Sequence, residues 1–282
     1  MSQDSFSLDT IQIRIQSKAV ERFLMPTDPI TTPKDLAFLN SGTRLNLSCG
    51  LAVRAWGSGP KVLMVHGWNS RGTHWRKMIQ PLIESGFQAI TIDAPAHGES
   101  EGRQSDIINF ARALAIAGQE LGGHLAAVIG HSSGAAAVMI ALQSGLEAEA
   151  VVLLAPPASL ELMVSRWAKL RGVTDDDLTL FMHLLELRLE VSFQDYHFVE
   201  SVQRFPMPAL IVHDLQDTFF PISDGLAIAD AWHGSTFFQT NGYEHLSLMF
   251  AEEAITKSIE YLKSMRTSGE AFYDGSCWLA GW

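Results

Sequence analysis

Val128-Ile129-Gly130-His131-Ser132-Ser133-Gly134-Ala135-Ala136-Ala137 is the stretch on which the reading of this chain depends. A short apolar run from Leu125 to Ile129 feeds into Gly-His-Ser-Ser-Gly, and an alanine-rich run follows. That order predicts a strand, an abrupt turn and a helix, with Ser132 at the apex. A serine hydroxyl is a poor nucleophile until a base removes its proton, so it must stand clear of the backbone. A tight strand-to-helix turn achieves this but crowds the main chain, and positions two before and two after the serine must then be nearly bare. Gly130 and Gly134 occupy them. The same turn aims the Ser133 amide, at the positive end of a helix, toward the oxygen of any carbonyl that Ser132 attacks. Three fixed letters in five also occur in ordinary loops, so the rest of the chain has to supply the base, the acid and the second oxyanion donor.

Outward from this point, short apolar runs alternate with helical patterns. Lys61–Val65 and Phe87–Ile92 precede the serine strand and Ala150–Leu154 follows it; none shows in–out alternation, as expected of strands buried on both faces of a parallel sheet. Helices are expected from about Thr73 to Ser85, with Gly86 as the stop, and after the N-cap candidates Ser105 and Asp106. Arg44–Trp56 reads as a hairpin about Cys49-Gly50. Ile11, Ile13 and Ile15 alternate with polar residues and suggest a half-buried strand, after which Pro26, Pro29 and Pro33 break regular structure. Pro208–His213 and Ser235–Gln239 are further strands, and a last helix is expected over roughly Leu246–Met265. The tail from Gly269 to Trp282 fits no element.

The rhythm lapses between Ala155 and Phe205, where helical stripes (Leu160, Met163, Val164, Trp167; Leu178, Phe181, Leu185) run without a strand. They are either peripheral packing or a helical cap inserted over the strand ends, where open α/β sheets bind ligands; the cap is preferred. The expected class is α/β: a mostly parallel, doubly wound sheet with a core of 1–155 and 206–282 and a cap of 156–205.

Composition narrows the function. Hydrophobic residues make up 47% of the chain, enough for a sizeable core, and a net charge of −11 argues against nucleic acid as a partner. Cys49 and Cys277 form neither a disulfide framework nor a metal-ligand spacing, which suits a reducing compartment. No secretory signal and no membrane-span-length apolar run is visible, so a cytoplasmic protein is expected. There is no H-E-x-x-H and no dinucleotide fingerprint, so no metal or organic cofactor is expected. Nothing in the sequence specifies an oligomeric state.

Four motifs in order around the serine elbow, over about residues 45 to 265, resemble the α/β-hydrolase superfamily: His66-Gly67-Trp68 and Asp93-Ala94-Pro95-Ala96-His97-Gly98-Glu99-Ser100 before it, His213-Asp214-Leu215-Gln216-Asp217 with Phe219-Phe220-Pro221 and Gly242-Tyr243-Glu244-His245 after it. The resemblance implies an α/β-hydrolase fold and a serine hydrolase, with Ser132 as nucleophile, His245 as base and Asp217 as acid. Trp68 and Ser133 would supply the oxyanion amides. Asp214 stands where the family has glycine and competes with Asp217, which the spacing to Pro221 favours. His66 would brace its loop rather than do chemistry. Trp68, Trp75 and Trp167 are candidates for the substrate pocket, although Trp68 and Trp75 could instead be core. Ala96 replaces a usual glycine, so that turn is expected to differ slightly. A small-molecule carboxylic ester is the expected substrate. Thioesters and amides would need the same groups, and a non-catalytic binding protein on the same fold is the reading from another class.

Overall fold

Eight strands form one sheet: β1 (Thr43–Leu45), β2 (Val53–Trp56), β3 (Lys61–Val65), β4 (Gln88–Ile92), β5 (Ala127–His131), β6 (Val151–Leu154), β7 (Ala209–Asp214) and β8 (Thr236–Thr240). The computed structural model describes residues 3–27, 29 and 31–269. The strand order is β1-β2-β4-β3-β5-β6-β7-β8, with β1 and β2 antiparallel and β4 through β8 parallel to one another. The first hairpin therefore closes one edge of an otherwise parallel sheet. β3 and β5 lie side by side in the middle, where the chain reverses the direction in which strands are added, and their C-terminal ends carry His66 and Ser132. That crevice is where ligands bind in sheets of this kind.

The central parallel strands β3 to β7 are mostly apolar because both faces are covered. Leu63, Val65, Ile90, Val128, Leu153 and Ile211 face one core, while Val62, Met64, Ala89, Ile129, Val152 and Leu210 face the other. The helix after the serine, Ser133–Gln143, is buried from Ser133 to Leu142. It is apolar all round, the pattern of a helix enclosed on every side, and its run of alanines lets it approach the sheet and the helix Ile107–Glu120. Asp106 caps that second helix through the Asn109 amide, as its sequence signalled.

Three expectations need correction. Ile11, Ile13 and Ile15 do not lie in a strand: Gln3–Phe23 is one helix, and the three isoleucines are exposed on it. Among its described side chains the buried ones are Gln16, Val20 and Phe23, at helical spacing, and the helix packs on Asp175–Leu189. Local alternation was outweighed by that distant partner. Pro33 does not break structure but starts the helix Pro33–Ser41, because proline lacks only an N–H that the first turn leaves unpaired; Thr32 and Asp35 form a reciprocal capping box beside it. The last helix is interrupted: a short turn at Glu244–Ser247 precedes a second helix, Glu252–Gly269. A helix at Ile222–Ala231 was not anticipated. The Gly/aromatic tail lies outside the described residues.

Between β6 and β7 the chain forms the helices Leu160–Leu170 and Asp175–Leu189 and several short turns, with no strand. Met163, Val164, Trp167, Phe181 and Leu185 face inward. Two polar anchors tie the segment to the sheet domain. Arg166 forms an ion pair with buried Asp224, which also accepts the Ala158 amide, and Arg188 pairs with Glu21.

Candidate active site

The turn after β5 places Ser132 at φ 57°, ψ −123°, a left-handed conformation that costs a residue with a Cβ on the order of 1–3 kcal/mol. The two glycines are required by contact. A Cβ on Gly134 would lie 2.4 Å from the carbonyl oxygens of Val65 and His66, and one on Gly130 would lie 2.7 Å from Ala135 Cα. These neighbours are main chain and cannot swing away. Gly134→Ala is therefore expected to destabilise the protein by about 3 kcal/mol or more, read as a lowered denaturation midpoint; an unshifted midpoint would show that the elbow is looser than this geometry.

Strand β7 and the loop after β8 bring two further groups to Ser132. His245 Nε2 lies 2.8 Å from Ser132 Oγ, and His245 Nδ1 lies 2.7 Å from Asp217 Oδ2. With Asp217 ionised, Nδ1–H donates to the carboxylate and Nε2 is left to accept the serine hydroxyl. All three side chains are buried. Asp217 Oδ1 accepts the amides of Phe219 and Phe220, each at 2.8 Å. His213 Nε2–H donates to the Phe220 carbonyl at 2.9 Å and lies 3.4 Å from Asp217 Oδ2. Burial alone would push the Asp217 carboxyl up. The hydrogen-bonding side chains of His213 and His245, with the Phe220 amide, outweigh it and hold the group well below the usual carboxylate range.

Asp214 has another task. Its carboxylate accepts the Thr240 hydroxyl at 2.6 Å and the amides of Gln216, Gly242, Tyr243 and Glu244 at 2.9 to 3.3 Å. It thus holds the loop from which His245 projects. Of the two aspartates, Asp217 meets the imidazole and Asp214 shapes the loop that carries it.

His66 braces the first loop, as expected: its Nδ1–H donates to the Gly67 carbonyl and its Nε2 accepts the Ala94 amide. The ring is fully buried, and burial first, then the nearby His97, drives its pKa far below that of free imidazole. Asp93 accepts the amides of Gly72 and Glu99, binding local main chain as read from the sequence. Ala96 differs from expectation. It adopts φ 59° despite its methyl group, so the turn keeps a glycine-like shape under strain.

Ser132 and His245 open onto a cavity of about 470 Å³. Trp68 and Trp167 line it, but Trp75 does not. Trp75 is fully buried against Met78 and Leu82 on the other face of the sheet, so it is core and not a pocket residue. Ser133 begins its helix, leaving its first amides without intrahelical acceptors. Trp68 follows Gly67, where a Cβ would come within 3.0 Å of Ser132 Cβ. Two neighbours of His245 had no distinctive sequence signal. The Phe219 ring stacks on its imidazole at 4.9 Å and 19°, and His131 Nε2–H donates to its carbonyl at 3.0 Å. Burial, then the nearby His245, pushes the His131 pKa down to about 3, so it stays a neutral donor. Among the described residues, no group of three or more His, Cys, Asp or Glu side chains could hold a metal ion, and no helix is long and apolar enough to cross a membrane.

A strand–turn–helix serine facing a histidine and an aspartate stands here on a sheet of the α/β-hydrolase topology. The model of the alpha/beta hydrolase family matches residues 62–248, and the chain belongs to that family. Among curated relatives, the pimeloyl-[acyl-carrier protein] methyl ester esterase of Nitrosomonas europaea is 28% identical over 133 residues, which is 47% of this chain and 50% of that protein. The chain spans at most half the length of the first curated relatives it matches. Among solved structures, the Pyrococcus furiosus esterase Pf2001 superposes with a TM-score of 0.63 at 20% identity, covering 86% of this chain and 97% of that one. A bromoperoxidase from Bacillus anthracis gives 0.61 at 18% identity, covering 78% and 100%. The family thus includes esterase and haloperoxidase relatives of this chain; the structural likenesses speak to its fold.

Proposed function

We propose that this protein is a serine hydrolase that cleaves carboxylic esters through an acyl-enzyme. The observation that carries the reading is the unbroken hydrogen-bonded series from Ser132 Oγ through the His245 ring to Asp217. His245 Nε2 takes the Ser132 proton as Oγ bonds to the acyl carbon, and the Trp68 and Ser133 amides receive the developing oxyanion. The imidazolium, stabilised by Asp217, returns the proton to the departing alcohol. Water then adds to the acyl-enzyme by the same relay in reverse order, releasing the acid and restoring Ser132. The segment 156–205 acts as a cap whose Trp167 walls the pocket. The names of the esterase relatives support carboxylic esters over thioesters and amides, which need the same groups. A small-molecule ester is the partner, with a cytoplasmic setting expected from the composition.

Fluorophosphonate labelling together with a p-nitrophenyl ester series tests the proposal. One equivalent of covalent label and turnover that varies with acyl length are expected. A folded protein that neither labels nor turns over any ester would instead be a binding protein on this fold.

A further inference from the structure

Among the described residues, the active-site cavity has one permanent charge in its lining: none of the lining residues is Asp or Glu, and Arg171 is the sole Lys or Arg. This is unusual in a chain with 31 acidic and 20 basic residues. Arg171 follows the helix Leu160–Leu170 and stands at the rim of the cavity, where its residue is exposed.

The guanidinium is held in place before any ligand arrives. Nη1 donates to the carbonyls of Arg22 and Phe23 at the end of the first helix, at 3.4 and 3.0 Å. Its Cζ lies 5.5 Å from the Phe23 ring centre and 5.9 Å from that of Trp68. Among the described residues it forms no ion pair. Anchoring through one nitrogen leaves the fork of Nε and Nη2, which matches a carboxylate in shape. The Nε1–H groups of Trp68 and Trp167 are buried without a hydrogen-bond partner, and the two indoles lie 5.5 Å apart.

Between this group and the serine the wall is aromatic. Phe219 stacks on His245, Trp167 meets Phe219 edge to face at 6.0 Å, and Trp68 lies beside Trp167. Such a wall suits an apolar chain with one end at the scissile carbonyl and the other at a charge.

Building on the proposed ester hydrolysis, we infer that the preferred substrate carries a carboxylate at the end distant from the ester, and that Arg171 is the residue that recognises it. The half-ester of a straight-chain dicarboxylic acid is the simplest molecule of this class. Charge-assisted hydrogen bonds of this type are worth roughly 10- to 100-fold in affinity. The exposed rim makes that preference fall as salt rises.

Binding and turnover can be read separately. In a Ser132→Ala background, calorimetric titration compares the monomethyl ester of a dicarboxylic acid with the methyl ester of the monocarboxylic acid of equal length. The carboxylate ligand is expected to bind about 10- to 100-fold more tightly. Arg171→Gln keeps a donor for the two helix carbonyls while removing the charge, and should bring the ratio close to one. Arg171→Glu should invert it. Equal affinities for the pair, or a ratio unchanged in Arg171→Gln, would overturn the assignment. Turnover of the same pair by the Ser132 protein reports on the hydrolase reading alone. If neither ester is cleaved while the affinity ratio stands, the hydrolysis proposal falls and the carboxylate subsite survives; cleavage without preference in either rate or affinity does the reverse.

Discussion

Ser132→Ala is expected to abolish covalent labelling by a fluorophosphonate and to lower ester turnover by a factor on the order of 10⁶, the loss seen when a triad serine is removed. The fold should survive. Alanine has the same Cβ at φ 57°, and the hydroxyl makes one hydrogen bond, to His245, so the melting temperature should stay within a few degrees. A second serine provides the control. Ser70 Oγ lies 2.7 Å from His74 Nδ1, and both residues line the same cavity. Ser70 does not lie at a strand-to-helix elbow, and no contact joins it to His245. Ser70→Ala should therefore keep its label. A folded Ser132→Ala protein that still labels, beside a Ser70→Ala protein that does not, would move the nucleophile to Ser70.

The second large effect separates the two aspartates after β7. Asp217→Asn replaces the acceptor at His245 Nδ1 with an amide that cannot hold the same tautomer. In the worked serine-protease case this change costs about 10⁴ in turnover. Asp214→Asn acts on structure. Its carboxylate accepts one hydroxyl and four amides, and an asparagine NH₂ would confront at least one of those donors with another donor. The expected cost is about 1–3 kcal/mol of stability, with a fall in turnover well short of that of Asp217→Asn, because His245 keeps its acceptor. Measuring turnover and denaturation midpoint for both variants distinguishes the roles. Loss of turnover confined to Asp214→Asn would assign the acid to Asp214.

Much of this arrangement was legible in the sequence because it depends on short-range necessities. A parallel strand buried on both faces has to be apolar throughout, and an elbow has to have glycine where Gly130 and Gly134 stand. These constraints are local and leave fixed letters. What escaped was settled by distant partners. The helical fate of Gln3–Phe23 is decided by a surface some 150 residues later in the chain. Trp75 and Trp167 look alike as isolated tryptophans, yet one is packed beneath the sheet and the other above the serine. The stacking of Phe219 on His245 joins two loops that no spacing rule connects. Asp214 was visible as a departure from the family pattern, but its task became evident only once Thr240 and the amides of the His245 loop converged on it.

The docking of the first helix also has a consequence for the order of assembly during synthesis. Gln3–Phe23 is synthesised before the surface that holds it: the helix Asp175–Leu189, with Trp167 and Arg171, is made about 150 residues later. At roughly 5–20 residues per second, that is a wait of about eight to thirty seconds. Throughout it, Val20, Phe23 and Leu24 have no cover and are open to chaperones and to neighbouring nascent chains. The rim of the substrate cavity therefore waits on a long-range step, because Arg171 gains its two carbonyl anchors only when the earlier helix folds back onto the later segment.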